Sequence, residues 1–321
     1  MGIPVRFRSD EPRVIDVVEE AFGAWAGRPL PDDHVPGPEV RVTLLVRSGN
    51  GEEEGEEGSG NDEARPPLRY RYLDRRRVLL HGPGSVGIAD ASGREAAAWV
   101  SPRLVRTRHH FRAGVVEALT LAVVAHLDRT PFHAAALVRD GRALLLAGPS
   151  GVGKSTLSYA GVSAGYRLLA EDHVNLQLAP TLRVWGLSHH LHLPREARVH
   201  FPHLRGRETS LVHGGKEKLA VDLRRLKALP RRPFADHAAL CVVSRDEADG
   251  PRLERLPPDD LAAALSWGDE PGFHVFREEI AEAVRRLARG GGWRLTLAGD
   301  PADALPLLDR IFAETAEGVG G

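Results

Sequence analysis

Cysteine is almost missing from this chain: Cys241 is the only one in 321 residues, which excludes an intrachain disulfide framework. It lies in the apolar run 238–243, where it reads as a small buried hydrophobe. Lysine is nearly as rare. Only Lys154, Lys216, Lys218 and Lys227 occur, and every other basic residue is arginine, so each lysine invites a specific reason. An excess of charge of either sign is also missing: the formal net charge is −1, which gives no global field to hold nucleic acid or an anionic membrane. The longest apolar stretch, Val115 to Leu127, carries Glu117 and His126 and falls short of the roughly 20 residues a bilayer needs. The opening MGIPVRFRSDEPR has no apolar signal core, and Arg6 breaks the myristoylation pattern. A cytoplasmic protein with no membrane and no nucleic-acid partner is expected.

With 42% hydrophobic and 27% charged residues, the composition is that of an ordinary globular protein. The length allows two domains at about 150 residues each. Residues 1–110 read as an α+β domain: Val14 to Trp25 has helical spacing, and Val40 to Val46, Leu68 to Leu73 and Val78 to His81 read as strands. Between the first two strands lies 48–67, whose core GEEEGEEGSGNDE cannot bury apolar area against its ordering entropy, so a disordered acidic loop is expected there.

Residues 111–321 read as a second domain. Phe111 to Leu127 predicts a long helix. Phe132 to Val138 and Arg142 to Ala147 predict strands joined by the turn Arg139-Asp-Gly141. A glycine-rich loop, a helix from Lys154 to Ala164 and a strand Tyr166 to Ala170 complete a βαβ unit. Further strands are expected at 174–177, 182–186, 219–223, 238–243 and 293–297, with helices near 258–266, 274–289 and 301–316.

The loop Gly148-Pro-Ser150-Gly151-Val152-Gly153-Lys154-Ser155, followed by Thr156, fits G-x-x-x-x-G-K-[ST] without mismatch, after an apolar strand and before a helix. Glycines let the backbone wind with its N–H groups turned inward, and the helix N-terminus adds its positive dipole end. That pattern points to the phosphates of a nucleoside triphosphate, ATP with Mg²⁺. Lys154 would pair with the β- and γ-phosphates and the Ser155 hydroxyl would ligate Mg²⁺.

One helix further on, the strand 166–170 ends in Glu171 and Asp172. Neighbouring strand residues point to opposite faces, so the two carboxylates should do different work: one on Mg²⁺, the other receiving a proton from an attacking hydroxyl. The stretch from Phe132-His-Ala-Ala-Ala to Lys-Ser-Thr156, continuing to Gly165-Tyr-Arg-Leu-Leu-Ala-Glu-Asp172, resembles the C-terminal domain of HPr kinase/phosphorylase, with its phosphoenolpyruvate carboxykinase-like nucleotide-binding core. The resemblance implies an α/β P-loop kinase core, a mixed sheet with flanking helices, behind the smaller α+β domain. It also implies roles: Lys154 and Ser155 for the loop lysine and the metal-binding hydroxyl, Glu171 for the base toward the acceptor, Asp172 for the metal carboxylate, and His133 for the histidine that bears on the pair. Glu171 departs from the family's aspartate by one methylene. The E-x-R-G-L-G-I segment of true HPr kinases is absent, so neither HPr as substrate nor the hexamer is carried over.

Two more groups could serve a transferring phosphoryl. The turn and strand 214–223 hold Lys216 and Lys218, of which Lys218, at the strand's start, is the better placed cation. His189, His190 and His192, with Arg195, form a polar cluster. With no cysteine and only Glu196 nearby, it reads as a substrate-facing wall rather than a zinc site. The expected activity is transfer of the γ-phosphate to a hydroxyl of a peptide, a protein or a small alcohol. The alternative is an ATPase or nucleotide switch with water as the only acceptor. A homo-oligomer is left open.

Overall fold

The computed structural model describes residues 1–47, 67–206, 210–211, 217–247, 250–265 and 272–317. The acidic stretch 48–67, apart from Pro67, and Lys216 lie outside them. The strands are β1 (Val5–Ser9), β2 (Val40–Val46), β3 (Arg69–Tyr72), β4 (Arg77–Gly82), β5 (Ser85–Asp90), β6 (Glu95–Val100), β7 (Thr130–His133), β8 (Ala135–Arg139), β9 (Arg142–Ala147), β10 (Arg167–Ala170), β11 (His173–Gln177), β12 (Arg183–Trp185), β13 (His190–Pro194), β14 (Ser210–Leu211), β15 (Glu217–Asp222), β16 (Phe234–Ala235), β17 (His237–Arg245), β18 (Arg252–Leu256) and β19 (Gly292–Leu297). The helices are α1 (Pro12–Phe22), α2 (Pro102–Arg106), α3 (Arg108–Phe111), α4 (Ala118–Val124), α5 (Lys154–Ser163), α6 (Pro258–Ala264), α7 (Arg277–Leu287) and α8 (Leu305–Glu317). Parallel and antiparallel pairs mix in the sheets, which makes the chain mixed α/β.

The first sheet has the order β1-β2-β6-β5-β4-β3. Its inward residues, among them Val40, Val42, Leu44, Leu80, Ala96 and Ala98, pack with Val14 and Val17 of α1 and with Phe111, Val115, Leu119 and Val123. The boundary expected at residue 110 therefore falls within a helical stretch that packs on this sheet. That stretch is not one regular helix. Between α3 and α4 the backbone opens into a wide turn, Arg112–Glu117, of the kind often found at functional sites.

The second sheet runs β10-β8-β9-β17-β19-β18. Alternation along β8 and β9 sends Leu137, Leu144 and Leu146 to one face, against α5, α8 and the small sheet β13-β15-β14. Ala136, Ala143 and Leu145 face the other way, against α6, α7 and the sheet β16-β12-β11-β7. The hairpin β8–β9 closes with Asp140 and Gly141 both at positive φ, 49° and 77°, as a two-residue turn matching the strand twist requires. β9 and β10 run in the same direction as a βαβ unit demands, but β8 lies antiparallel between them, so α5 crosses over it.

The run 132–138 reads as one strand in the sequence; the structure breaks it at the fully buried Ala134 into β7 and β8, which belong to different sheets. β10 and β11 break at the same level. The pairs Ala136↔Ala170 and His133↔His173 share one register, so the ribbon bends as a unit and the bend carries Glu171 and Asp172. The run gives no hint of such a corner: β8 is buried on both faces, and β7 alternates buried Thr130 and Phe132 with half-buried Pro131 and His133 as a continuing strand would. Cys241 is fully buried, and burial pushes its thiol up to about 12, which agrees with its reading as an inert core residue. Among the described residues, no helix is long and apolar enough to cross a membrane.

Candidate active site

The glycine loop leaves β9 at Ala147 and enters α5 at Lys154. Gly148, Gly151 and Gly153 adopt φ of 150°, 84° and 114°, a left-handed region that favours glycine. A Cβ on Gly148 would lie 2.5 Å from the Val243 carbonyl oxygen of β17, whereas one on Gly151 would meet nothing within 4 Å. The loop is thus pinned at its base and open at its tip. Lys154 is buried, and its ammonium folds back to donate to the carbonyls of Gly148 (2.6 Å) and Pro149 (3.1 Å). Val152 anchors the loop in the core beside Leu157, Thr156 is buried, and Ser150 and Gly151 are exposed. Ser155, half-buried, starts the second position of α5.

Replacing Gly148 by alanine adds both the clash with Val243 and backbone strain. The expected cost is roughly 1–3 kcal/mol, read as a lowered thermal midpoint.

Because β10 is parallel to β9 and two strands away, Glu171 and Asp172 emerge at the same end of the sheet as the loop. Two strand spacings put the backbones about 10 Å apart. The two carboxylates have different partners. Asp172 Oδ1 lies 3.3 Å from His133 Nε2, and its Oδ2 lies 3.9 Å from His173 Nδ1. These three side chains offer ligand atoms all within 4.8 Å of one another, the one such cluster of three His, Cys, Asp or Glu side chains among the described residues. The sequence does not single out His173, which meets His133 only through the β7–β11 pairing.

Glu171 turns to β13. Its Oε1 accepts the backbone N–H of His192 (2.7 Å), its Oε2 faces His192 Nδ1 (2.7 Å), and its own N–H donates to Ser188 Oγ (2.9 Å). Among the described residues β13 pairs only with β15, and its other edge meets Glu171. Leu191 and Leu193 point toward the α5 core, and His190 and His192 point the other way. Register places Lys218 opposite Pro194 and Ala220 opposite His192, so Lys218 lies diagonally from His192 on the same face, about 7 Å away. Glu171 thus meets His192, and Lys218 lies on the same face of the sheet as that histidine.

Over this face lies the wide turn of the helical stretch. The buried Arg112 pairs with Glu20 of α1 (2.9 Å) and Glu117 (3.3 Å), and approaches His109 Nδ1 (3.3 Å) and His189 Nε2 (3.4 Å). Burial pushes the Glu117 carboxyl up, against the pull of Arg112 and His192. Burial first, then neighbouring cationic groups, holds His189 and His190 down to about 4. Folded imidazoles that refuse protons contribute stability above the ordinary histidine value near 6.5, and that stability is lost as pH falls from there toward about 4. The thermal midpoint should therefore decline on acidification through that window. A variant with glutamine at both 189 and 190 should lose much of the slope.

Arg245, which motif reading passes over, ends β17 beside the loop. Its Nη2 lies 3.5 Å from where a Gly153 Cβ would be. It lines an open cavity of about 660 Å³ with Asp246, Glu247 and Gly299. Only the parallel pairing of β17 with β9 brings this cation to the loop.

No family model and no curated protein matches the sequence. Among solved structures, the HPr(Ser) kinase/phosphatase from Coxiella burnetii is similar at 17% identity, over 60% of this chain and 99% of that one, with a TM-score of 0.31. A score of that size does not define a shared fold.

Proposed function

We propose that the chain is an ATP- and Mg²⁺-dependent phosphotransferase of the P-loop kinase kind, acting on a hydroxyl of a peptide, a protein or a small molecule. The observation that supports this most is the common sheet end from which the glycine loop and the Glu171–Asp172 pair emerge. The residues present fit the nucleotide: a glycine loop packed at its base against Val243 and open at its tip, with a buried lysine folded onto its carbonyls. Lys154, Ser155 and the inward N–H groups of 148–153 would bind and orient the phosphates, with Thr156 behind them. Ser155 and Asp172 would hold Mg²⁺, which neutralises developing charge when bound. His133 fixes the Asp172 carboxylate. Lys218 offers a point charge on the acceptor side, and the Glu171 end of the pocket receives the acceptor's proton.

The test is incubation with γ-labelled ATP and candidate hydroxyl acceptors. Label should pass to an acceptor. Release to water alone would favour the alternative, an ATPase or nucleotide switch.

A further inference from the structure

Resting on the phosphotransferase reading, we propose that the group taking the acceptor's proton is His192 Nε2, and that Glu171 is the carboxylate that orients it. Both Glu171 oxygens are already committed to His192, one to its backbone N–H and one to Nδ1, at 2.7 Å each. A carboxylate held on two sides is a poor free base but a good anchor. Facing it, Nδ1 must carry a proton, which leaves the lone pair of a neutral ring on Nε2. Among the described residues Nε2 makes no hydrogen bond, and the ring is partly open, its side chain 18% exposed. Glu171 itself is less accessible, at 12%.

The groups facing this ring come from four elements besides its own. They are Glu171 from the β10–β11 bend, His109 from α3 at 5.8 Å between ring centroids, and Glu117 from the wide turn. His190 lies two residues back on β13, and Lys218 lies diagonally on β15. Glu171, on Nδ1, pairs with the imidazolium that forms. The transfer balances simply. As the acceptor oxygen bonds to the γ-phosphorus, its proton passes to Nε2. The bond from that phosphorus to the β,γ-bridging oxygen breaks, and ADP leaves with the electron pair. The imidazolium, paired with Glu171, then returns the proton to solvent. The extra methylene of Glu171 relative to an aspartate is what lets a carboxylate at this bend reach across to β13.

Long-range ¹H–¹⁵N spectra of the full chain without nucleotide test the orientation directly. Neutral His192 should be protonated on Nδ1. In Glu171→Gln the amide NH₂ facing Nδ1 should switch the ring to the Nε2–H form. A wild-type His192 protonated on Nε2 would overturn the proposal. As a second measurement, Mg·ATP turnover with water as the probe acceptor should fall about 10²-fold or more in His192→Gln, with nucleotide affinity kept and added imidazole restoring part of the rate. Turnover within about threefold of wild type would sink the base assignment alone, whereas a wild type that binds no Mg·ATP would sink the phosphotransferase reading beneath it. The spectra decide the assignment whether or not water serves as acceptor.

Discussion

Lys154→Ala is expected to lower Mg·ATP affinity by at least about tenfold and bring turnover to background. The ammonium is buried and folded onto the loop carbonyls of Gly148 and Pro149, so it already stands where the phosphates would arrive. A charge-assisted hydrogen bond contributes about 1.5–3 kcal/mol, and each 1.4 kcal/mol is tenfold in affinity. The larger effect is expected on transfer, because in the proposed reaction the lysine would neutralise oxygens whose charge grows toward the transition state. Calorimetry with Mg·ATP and a turnover assay check both. ATP consumption at the wild-type rate in this variant would remove the loop from the site.

Glu171→Gln should leave nucleotide affinity near wild type and cost transfer about 10²–10⁴-fold. The substitution keeps size and one acceptor, so the His192 backbone N–H remains bonded. What changes is the partner of Nδ1: an amide NH₂ replaces a carboxylate oxygen, and the imidazole can no longer be both held and basic at Nε2. Unaltered transfer would show that the proton goes elsewhere.

How much of this was legible beforehand follows the physics of each element. The glycine loop is local: its conformation comes from residues spaced within eight positions, and the structure gives the left-handed glycines that spacing implies. The two carboxylates are also local, and the alternation rule anticipates their separate partners. The corner at Ala134 is not. It depends on how two sheets share one ribbon, and Phe132 before it and the apolar residues of β8 after it would sit equally well in a continuous strand. His173 and Arg245 were invisible for the same reason, since pairings with His133 and with β9 across many residues bring them in. His189, His190 and His192 read as a cluster in the sequence, but which one meets Glu171 depends on how β13 lies at the edge of its sheet.

The most direct measurement of the central claim is a titration of Mg·ATP into the wild-type chain, followed by backbone amide shifts. Saturable binding of one nucleotide per chain is expected, with the largest shifts at the amides of 148–156. No binding at millimolar nucleotide, or binding that leaves those amides unmoved, would contradict it.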